Sequence, residues 1–523
     1  MYDAEERNME QTHENPKCFA RQYTTRENTH IAGEDILPDY LPDIDKIVKT
    51  RVTLRPGQHT MENGKICSTG EAVFEVYYLS ADATPAIRCI PLPYEIQCTA
   101  EGIDAESIVR FSQKAEAVSC RPLSPRKLSV RSQIQMQLAV YSAENTAVIV
   151  TNAAPGAENT IVHRYQNLPA CTMLAAESND IKCSEDILIP EDMPPIEELM
   201  HIEVIPMPPA LTSVEDGVEY TQECRVQLFY RSKGQDEKTS YHLYEKIFTM
   251  QGMIPLQDAT EGLRCYGECT LGPMQAKAVP DAMGEMRTVE LDCFLSISCL
   301  CFENQNLRVT TDAFSTAYAT KKENSTIRCA QHLLQTRSGL SVSEHLKTDA
   351  NVEKIIDLHS EANYAGFRTE NGKLSANGTI SVFGLFESGA NEYHGFNGEI
   401  PWKFECDGKG LDDKCELTCC TAVQSQKASP SNNGIDVQVE LAISLCGLQT
   451  SEKSLVSQIE MTNESITSAQ TSQALVFYYA KKGEDIFEIA RTYHTDPEML
   501  RRSNGLDATA EVIQAEQSVL IIP

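Results

Sequence analysis

The chain has 523 residues, too many for one hydrophobic core, so several domains are expected. Its apolar share of 41% is ordinary for a globular protein, while 75 acidic residues against 45 basic ones leave a formal net charge of −30. Charge of that sign repels phosphate backbones and anionic lipid, which argues against nucleic-acid and membrane-surface binding and makes a basic protein partner easier.

Residues 1–33 are polar and read as a loose N-terminal segment, within which Phe19–Tyr23 could pair as an edge strand. The opening Met1-Tyr-Asp-Ala-Glu-Glu has neither a basic start nor an apolar stretch after it, so no secretion signal is expected. No apolar run reaches the ~18 residues of a spanning helix. The expectation is a cytoplasmic protein with no direct membrane insertion.

The chain then repeats itself. Ile36-Leu-Pro-Asp-Tyr-Leu-Pro-Asp-Ile-Asp-Lys-Ile-Val48 recurs as Leu188-Ile-Pro-Glu-Asp-Met-Pro-Pro-Ile-Glu-Glu-Leu-Met200, at an offset of 152 without a gap. A fainter copy, Ala350–Ile356, lies 308 residues beyond Pro42. The same offset of 308 links Glu62-Asn-Gly-Lys65 to Glu370-Asn-Gly-Lys373, and Gly70 to Gly378. A period this long marks tandem domains rather than a solenoid. Their expected bounds are 34–180, 181–335 and 336–449.

Each repeat reads alike. Pro42 suits the first helical position, and Ile44, Ile47 and Val48 at i, i+3, i+4 predict a short helical turn at the start. Asn63-Gly64 and Asn371-Gly372 predict hairpins, because both central residues of a type I′ turn need positive φ. A long alternating strand closes each repeat. Val130, Ile134, Met136, Leu138 and Val140 face one way in the first; Val289, Leu291, Cys293, Leu295, Ile297 and Cys299 in the second; Ile435, Val437, Val439, Leu441, Ile443 and Leu445 in the third. Period two puts one face on a core and the other in water. The fold class is therefore multidomain and mainly β: three tandem antiparallel units, sandwich or open barrel, each with a short helix.

Residues 450–474 are rich in Ser, Thr, Gln and Glu and predict a tether. Beyond them, 475–523 read as strand, glycine turn, helix, second helix, Asn-Gly turn and strand. Asp485 and Glu488 have capping-box spacing, Ile486, Ile489, Ala490 and Tyr493 form a helical stripe, and Pro497 suits the second helix's first turn. Asn504-Gly505 ends that helix.

The 19 cysteines read mainly as small buried hydrophobes in a reducing compartment. The groups Cys415, Cys419, Cys420 and Cys265, Cys269 lack C-x-x-C spacing and neighbouring histidines, so no metal or other cofactor is expected. Later disulfide cross-linking is the remaining reading.

The C-terminal 49 residues resemble a LysM domain, a βααβ module that binds N-acetylglucosamine glycans or, less often, proteins. Carried over by position, that resemblance implies a binding face of Gly483, Glu484, Asp485, Ile486, Asn504, Gly505, Leu506 and Ile513. Two residues depart from it. The usual Gly-Asp-Thr turn is Gly483-Glu484-Asp485, and Glu516 stands where a glycine precedes the closing strand. With eight acidic and five basic residues in 475–523, the module leans toward a protein ligand rather than a neutral sugar.

The Pro-Asp-x-x-Pro-Asp-Ile-x-Lys-Ile run at 38–47 and the Gly70 strand ending Val76-Tyr-Tyr-Leu79 resemble the SPOCS domain of spore-coat proteins. Three such repeats before one LysM domain resemble SipL-like spore morphogenetic proteins. The resemblance implies a scaffold in the mother-cell cytoplasm at the forespore surface, partnered with the coat morphogenetic ATPase (stage IV sporulation protein A), with other coat proteins or with itself. The alternative is a peptidoglycan-binding protein of cortex or wall, which a missing export signal opposes. An enzyme is the third class. P-loop, G-x-S-x-G and H-E-x-x-H motifs are absent, no C-x-x-C pair occurs, and the chain is expected to be non-catalytic.

Overall fold

Alternating sequence becomes alternating burial throughout the computed structural model, which describes residues 12–14, 18–62, 64–99, 103, 107–143, 148–151, 161–233, 239–389, 392–466 and 476–522. The first unit contains β1 (Thr12–Glu14), β2 (Phe19–Ile36), β3 (Lys46–Glu62), β4 (Lys65–Leu79), β5 (Pro85–Thr99), β6 (Ile108–Ser124), β7 (Lys127–Ala143) and β8 (Val148–Thr151). It makes two antiparallel sheets, β3-β4-β5 and β2-β7-β6, with β1 and β8 paired separately. Phe74, Val76 and Tyr78 of one sheet pack on Ile134, Met136 and Leu138 of the other. The unit is a sandwich.

The second unit repeats this plan with β9 (Ile161–Leu188), β10 (Glu198–Pro206), β11 (Ala210–Val214), β12 (Gly217–Lys233), β13 (Thr239–Pro255), β14 (Arg264–Pro280) and β15 (Met286–Ser315). Its sheets are β14-β15-β9 and β12 flanked by β13 and by β10 and β11. β10 and β11 take the place of one strand, interrupted at Pro208-Pro209, which have no N–H to give the ladder. The third unit holds β16 (Tyr318–Lys347), β17 (Lys354–Glu370), β18 (Lys373–Gly389), β19 (Glu392–Asp407), β20 (Glu416–Ser431) and β21 (Gly434–Ser465), in sheets β17-β18-β19 and β16-β21-β20. A final group, β22 (Val476–Ala480), α1 (Ile486–Thr492), α2 (Pro497–Ser503) and β23 (Gln517–Ile521), has its own small core.

Several expectations change. No repeat opens on a helix, because α1 and α2 are the only helices among the described residues. Ile47 and Val48 lie in β3, and residues 38–41 form a turn closed by Leu41 N–H to the Pro38 carbonyl at 3.0 Å. The run is too short to nucleate a helix, and Pro42 withholds an N–H. Arg126 holds the turn instead, donating to the carbonyls of Pro38 (2.9 Å) and Leu37 (3.2 Å). Arg287 does the same for the second copy, to Met193 (2.7 Å) and Pro190 (3.1 Å). Tyr78 and Tyr230 donate to the carbonyls of Pro42 and Pro194. The repeated Pro-x-x-x-Pro segment is thus a stapled turn.

The unit boundaries also move. The strand before each turn pairs with its own unit's last strand: β2 with β7, β9 with β15, β16 with β21. Residues 19–33 are therefore sheet rather than a loose segment, the second unit starts by Ile161, and the third by Tyr318. Residues 450–465, read as tether, continue β21 against β16, burying Leu455, Val456 and Ile459. Backbone pairing tolerates polar side chains, so their composition masked a strand. Residues 467–474 of that tether, Leu475 at the start of the terminal module and Asn63 of the first hairpin lie outside the described residues. In the other hairpin Asn371 and Gly372 have φ of 51° and 77°, as type I′ requires. Gly378 is needed for space: a Cβ there would stand 1.9 Å from the Asn363 carbonyl oxygen and 2.7 Å from the Trp402 ring.

The three units meet around buried groups at equivalent positions. Arg51, Glu203 and His359 are separated by 152 and then 156 residues, which reproduces the repeat offsets. Arg51 donates to Glu75 and Glu203, and His359 Nδ1 donates to Glu203 at 2.9 Å. His359 Nε2 donates to Asp357, 3.1 Å away and 0% exposed. Above them Tyr77, Phe229 and Leu385, again equivalent, share one apolar cluster. A second station joins Arg110 to Glu268 (2.9 Å) and Thr418 (3.1 Å), beside a cluster that includes Tyr141, Leu300 and Leu448.

Burial opposes the charge on His359, but Asp357 and Glu203 outweigh it and raise its pKa to about 9. Burial likewise opposes ionised Glu203, and Arg51 with His359 overrides it, holding that carboxyl well below its usual range. Burial keeps His201 neutral by lowering its pKa. His359 therefore adds stability that is fully present below its ordinary 6.5 and is lost as pH rises through about 9. Glu203 adds stability that is lost on acidification, where His201 must also take up a proton. Unfolding midpoints measured from pH 5 to 10 should fall on both sides of neutrality. His359→Gln should cost about 3–5 kcal/mol near pH 6.5 by stranding buried Asp357, and should flatten the alkaline limb. An unchanged alkaline limb in that variant would refute the assignment.

Candidate functional site in the C-terminal module

The eight positions expected at the binding face do not all face outward. Ile486 and Ile513 are 0% and 1% exposed and sit in the module's core with Ile489, Leu500, Val519 and Ile521. Their backbones do frame the mouth. Ile513 N–H donates to the Glu484 carbonyl, Gly483 N–H to the Ile513 carbonyl, and Ile486 N–H to the Glu511 carbonyl, at 2.8–2.9 Å. Gly483, at φ 89°, takes the left-handed turn that starts this pairing.

Asn504 is structural too. It is the C-cap of α2 at φ −112°, and Gly505 carries the left-handed residue at φ 62°. The Asn504 side chain is locked to β23, accepting from Leu520 N–H at 2.6 Å and donating to the Leu520 carbonyl at 2.7 Å. Leu506 packs against the module's core. Glu484 accepts from the Tyr478 hydroxyl at 3.0 Å. Of the expected set, Gly483 and Gly505 are exposed and Glu484, Asp485 and Leu506 are half-buried.

Asp485 has two jobs. Its carboxylate caps α1, accepting from Phe487 N–H at 2.8 Å, and it pairs with Arg164 of β9 at 2.7 Å. Next to it, Phe487 leaves the module's core and packs edge-on against Phe314 of β15, ring centres 5.1 Å apart. Arg491 donates to Asp312 at 2.8 Å. The first helix thus docks the module on the second unit. Sequence reading gave Asp485 its capping role and had no means of seeing Arg164, 321 residues away in the chain.

The opposite side of the module is open. On β22 Phe477 and Tyr479 are 70% and 65% exposed, while Ala480 between the strands' ends is buried. Leu520, opposite Phe477, is half-buried, and Ile522 is exposed. Lys481 and Lys482 follow on the same strand end, both exposed. This ribbon carries the module's exposed aromatic surface, and sequence reasoning passed over it. Period two across Val476–Ala480 was the available signal, since it places 477 and 479 on one face. Among the described residues no grouping of His, Cys, Asp or Glu is arranged to hold a metal ion.

Phe487→Ala should release the module without unfolding it, because Phe487 packs outside the module's core. Amide exchange at 162–164 and 312–314 should rise at least tenfold, with exchange at 476–480 unchanged. Asp485→Asn should keep the cap and lose the charge on Arg164, a change of about 1 kcal/mol. Equal deprotection of 476–480 in Phe487→Ala would show that the residue holds the module's own fold. No protein-family model, curated protein or solved structure matches this chain.

Proposed function

We propose that the chain is a non-catalytic structural adaptor of spore-coat assembly. In this reading the three β units form a body that binds or organises coat components. The C-terminal LysM-like module presents its ribbon to the coat morphogenetic ATPase (stage IV sporulation protein A) at the forespore surface, in the mother-cell cytoplasm. The SPOCS-like turns and the LysM-like terminus give the reading its family. One observation carries the recognition role: α1 anchors the module to the second unit while Phe477 and Tyr479 stay exposed on the far side. Exposed paired aromatics beside a module anchored elsewhere mark a contact surface.

The same geometry weighs against a glycan. Two of the apolar residues expected to cover a sugar, Ile486 and Ile513, are core, and Asp485 is spent on α1 and Arg164. No helix is long and apolar enough to cross a membrane among the described residues.

The test uses the full chain, titrated in parallel with the ATPase and with N-acetylglucosamine oligomers. Binding to the ATPase at micromolar Kd or tighter is expected. The double variant Phe477→Ser, Tyr479→Ser should weaken it at least tenfold, about 1.4 kcal/mol. Oligomer binding with no ATPase binding would replace this reading by the peptidoglycan one.

A further inference from the structure

None of the 19 cysteines is joined in a disulfide in the structure, yet some of their sulfurs lie in contact. Cys265 and Cys301 are 2.9 Å apart, sulfur to sulfur, at directly opposed positions on β14 and β15. Cys183 and Cys293 are opposed on β9 and β15. Both pairs join strands that already share a ladder of hydrogen bonds, so a covalent link there would restrain little.

Cys18 and Cys329 differ. Their sulfurs are 3.1 Å apart across 311 residues of sequence, one on the residue just before the first unit's β2 and the other in the third unit's β16. Both are 0% exposed, walled by Leu168, Ala170, Val309, Ile327 and Leu455. The strands are aligned beside them: Arg328 donates to the Arg21 carbonyl, and Arg21 pairs with Glu416 at 2.9 Å. A disulfide needs its sulfurs about 2.05 Å apart, an approach of roughly 1 Å from the thiol contact.

We propose that Cys18 and Cys329 form an oxidative clasp that covalently closes the seam between the first and third units. The oxidant is hydrogen peroxide, small and neutral enough to reach a buried pair. Cys329 donates its S–H to the Cys18 sulfur, which makes Cys18 the nucleophile. The Cys18 thiolate attacks one peroxide oxygen, the O–O bond breaks, and the departing hydroxide leaves as water with the first thiol proton. Cys329 sulfur then attacks the sulfenic sulfur, the S–S bond forms, the S–O bond breaks, and the second hydroxide leaves as water with the second proton. Two thiols and one peroxide give one disulfide and two waters. Access comes through the end of β2, an edge strand whose first residue, Phe19, pairs with the last residue of β7. The bond would enclose the whole first and second units in one covalent loop, the kind that restricts an unfolded chain most.

The test treats the native full chain with excess hydrogen peroxide, alkylates remaining thiols, digests with trypsin without reduction and maps the peptides. Cleavage yields 18–21 and 329–337, each with one cysteine, so their linked form is unambiguous. The linked peptide should rise at least tenfold over the untreated chain. On a non-reducing denaturing gel the oxidised chain should migrate faster, and Cys18→Ser should abolish that shift. The peptide map of the unsubstituted chain stands by itself if the variant folds poorly. Recovery of the two peptides as alkylated thiols or as sulfonic acids overturns the proposal. Linkage of Cys18 and Cys329 only after denaturation overturns it too.

Discussion

The structure depends on a buried meeting of charges at the junction of the three units. Arg51, Glu203 and His359 occupy the same position in three related sandwiches, and their charges complement one another there. Removing such groups from water is costly, and the cost is offset only when every partner is present with good geometry. An assembly with any unit displaced would leave an uncompensated carboxylate or guanidinium inside. The cluster thus selects one arrangement more than it adds net stability.

The same cluster limits how alike the repeats can be. Identical units would bring three like charges together at that position, so the copies must differ where they meet. Lys49, His201 and Asp357, two residues earlier at the same offsets, also differ from one another, and at the second station Arg110 meets Glu268 and Thr418 rather than a second arginine. Divergence also reaches the stapled turn. The third unit has no arginine in the role of Arg126 or Arg287 and no prolines to staple; it keeps only the bond common to all three, Glu353 N–H to the Glu387 carbonyl, which matches Asp45 to Leu79 and Glu197 to Arg231.

Much of the fold was legible. Alternation in Val289–Cys299 and Ile435–Leu445 marked strands whose apolar faces are buried, and the offsets of 152 and 308 marked related units. What failed has physical causes. Ile44, Ile47 and Val48 fit a helical spacing by coincidence, since two of them sit in a strand. Residues 450–465 looked like a tether because half of a strand's pairing is backbone, which composition does not record. The junction was hidden because Lys49, Arg51, His201 and Glu203 stand at polar strand positions that normally face water. Superposing the copies at the known offsets would have shown opposite charges at matching places. In the terminal module, capping and turn residues were readable because their partners are local. Arg164 and Phe314 were not, because docking is a long-range fact.

That distinction bears on how departures from a family pattern are read. A carboxylate at 485, where a LysM-like turn usually has a hydroxyl, looks in sequence like a change of ligand. In three dimensions its first partner is the α1 N-terminus, and its second is Arg164 in another unit. Either a hydroxyl or a carboxylate can cap a helix, but only the carboxylate answers a guanidinium. The substitution is accounted for by intramolecular docking, with no ligand required. The turn at 483–485 is thus spent on the chain's own body, and the surface that docking leaves uncovered is the ribbon of Phe477 and Tyr479.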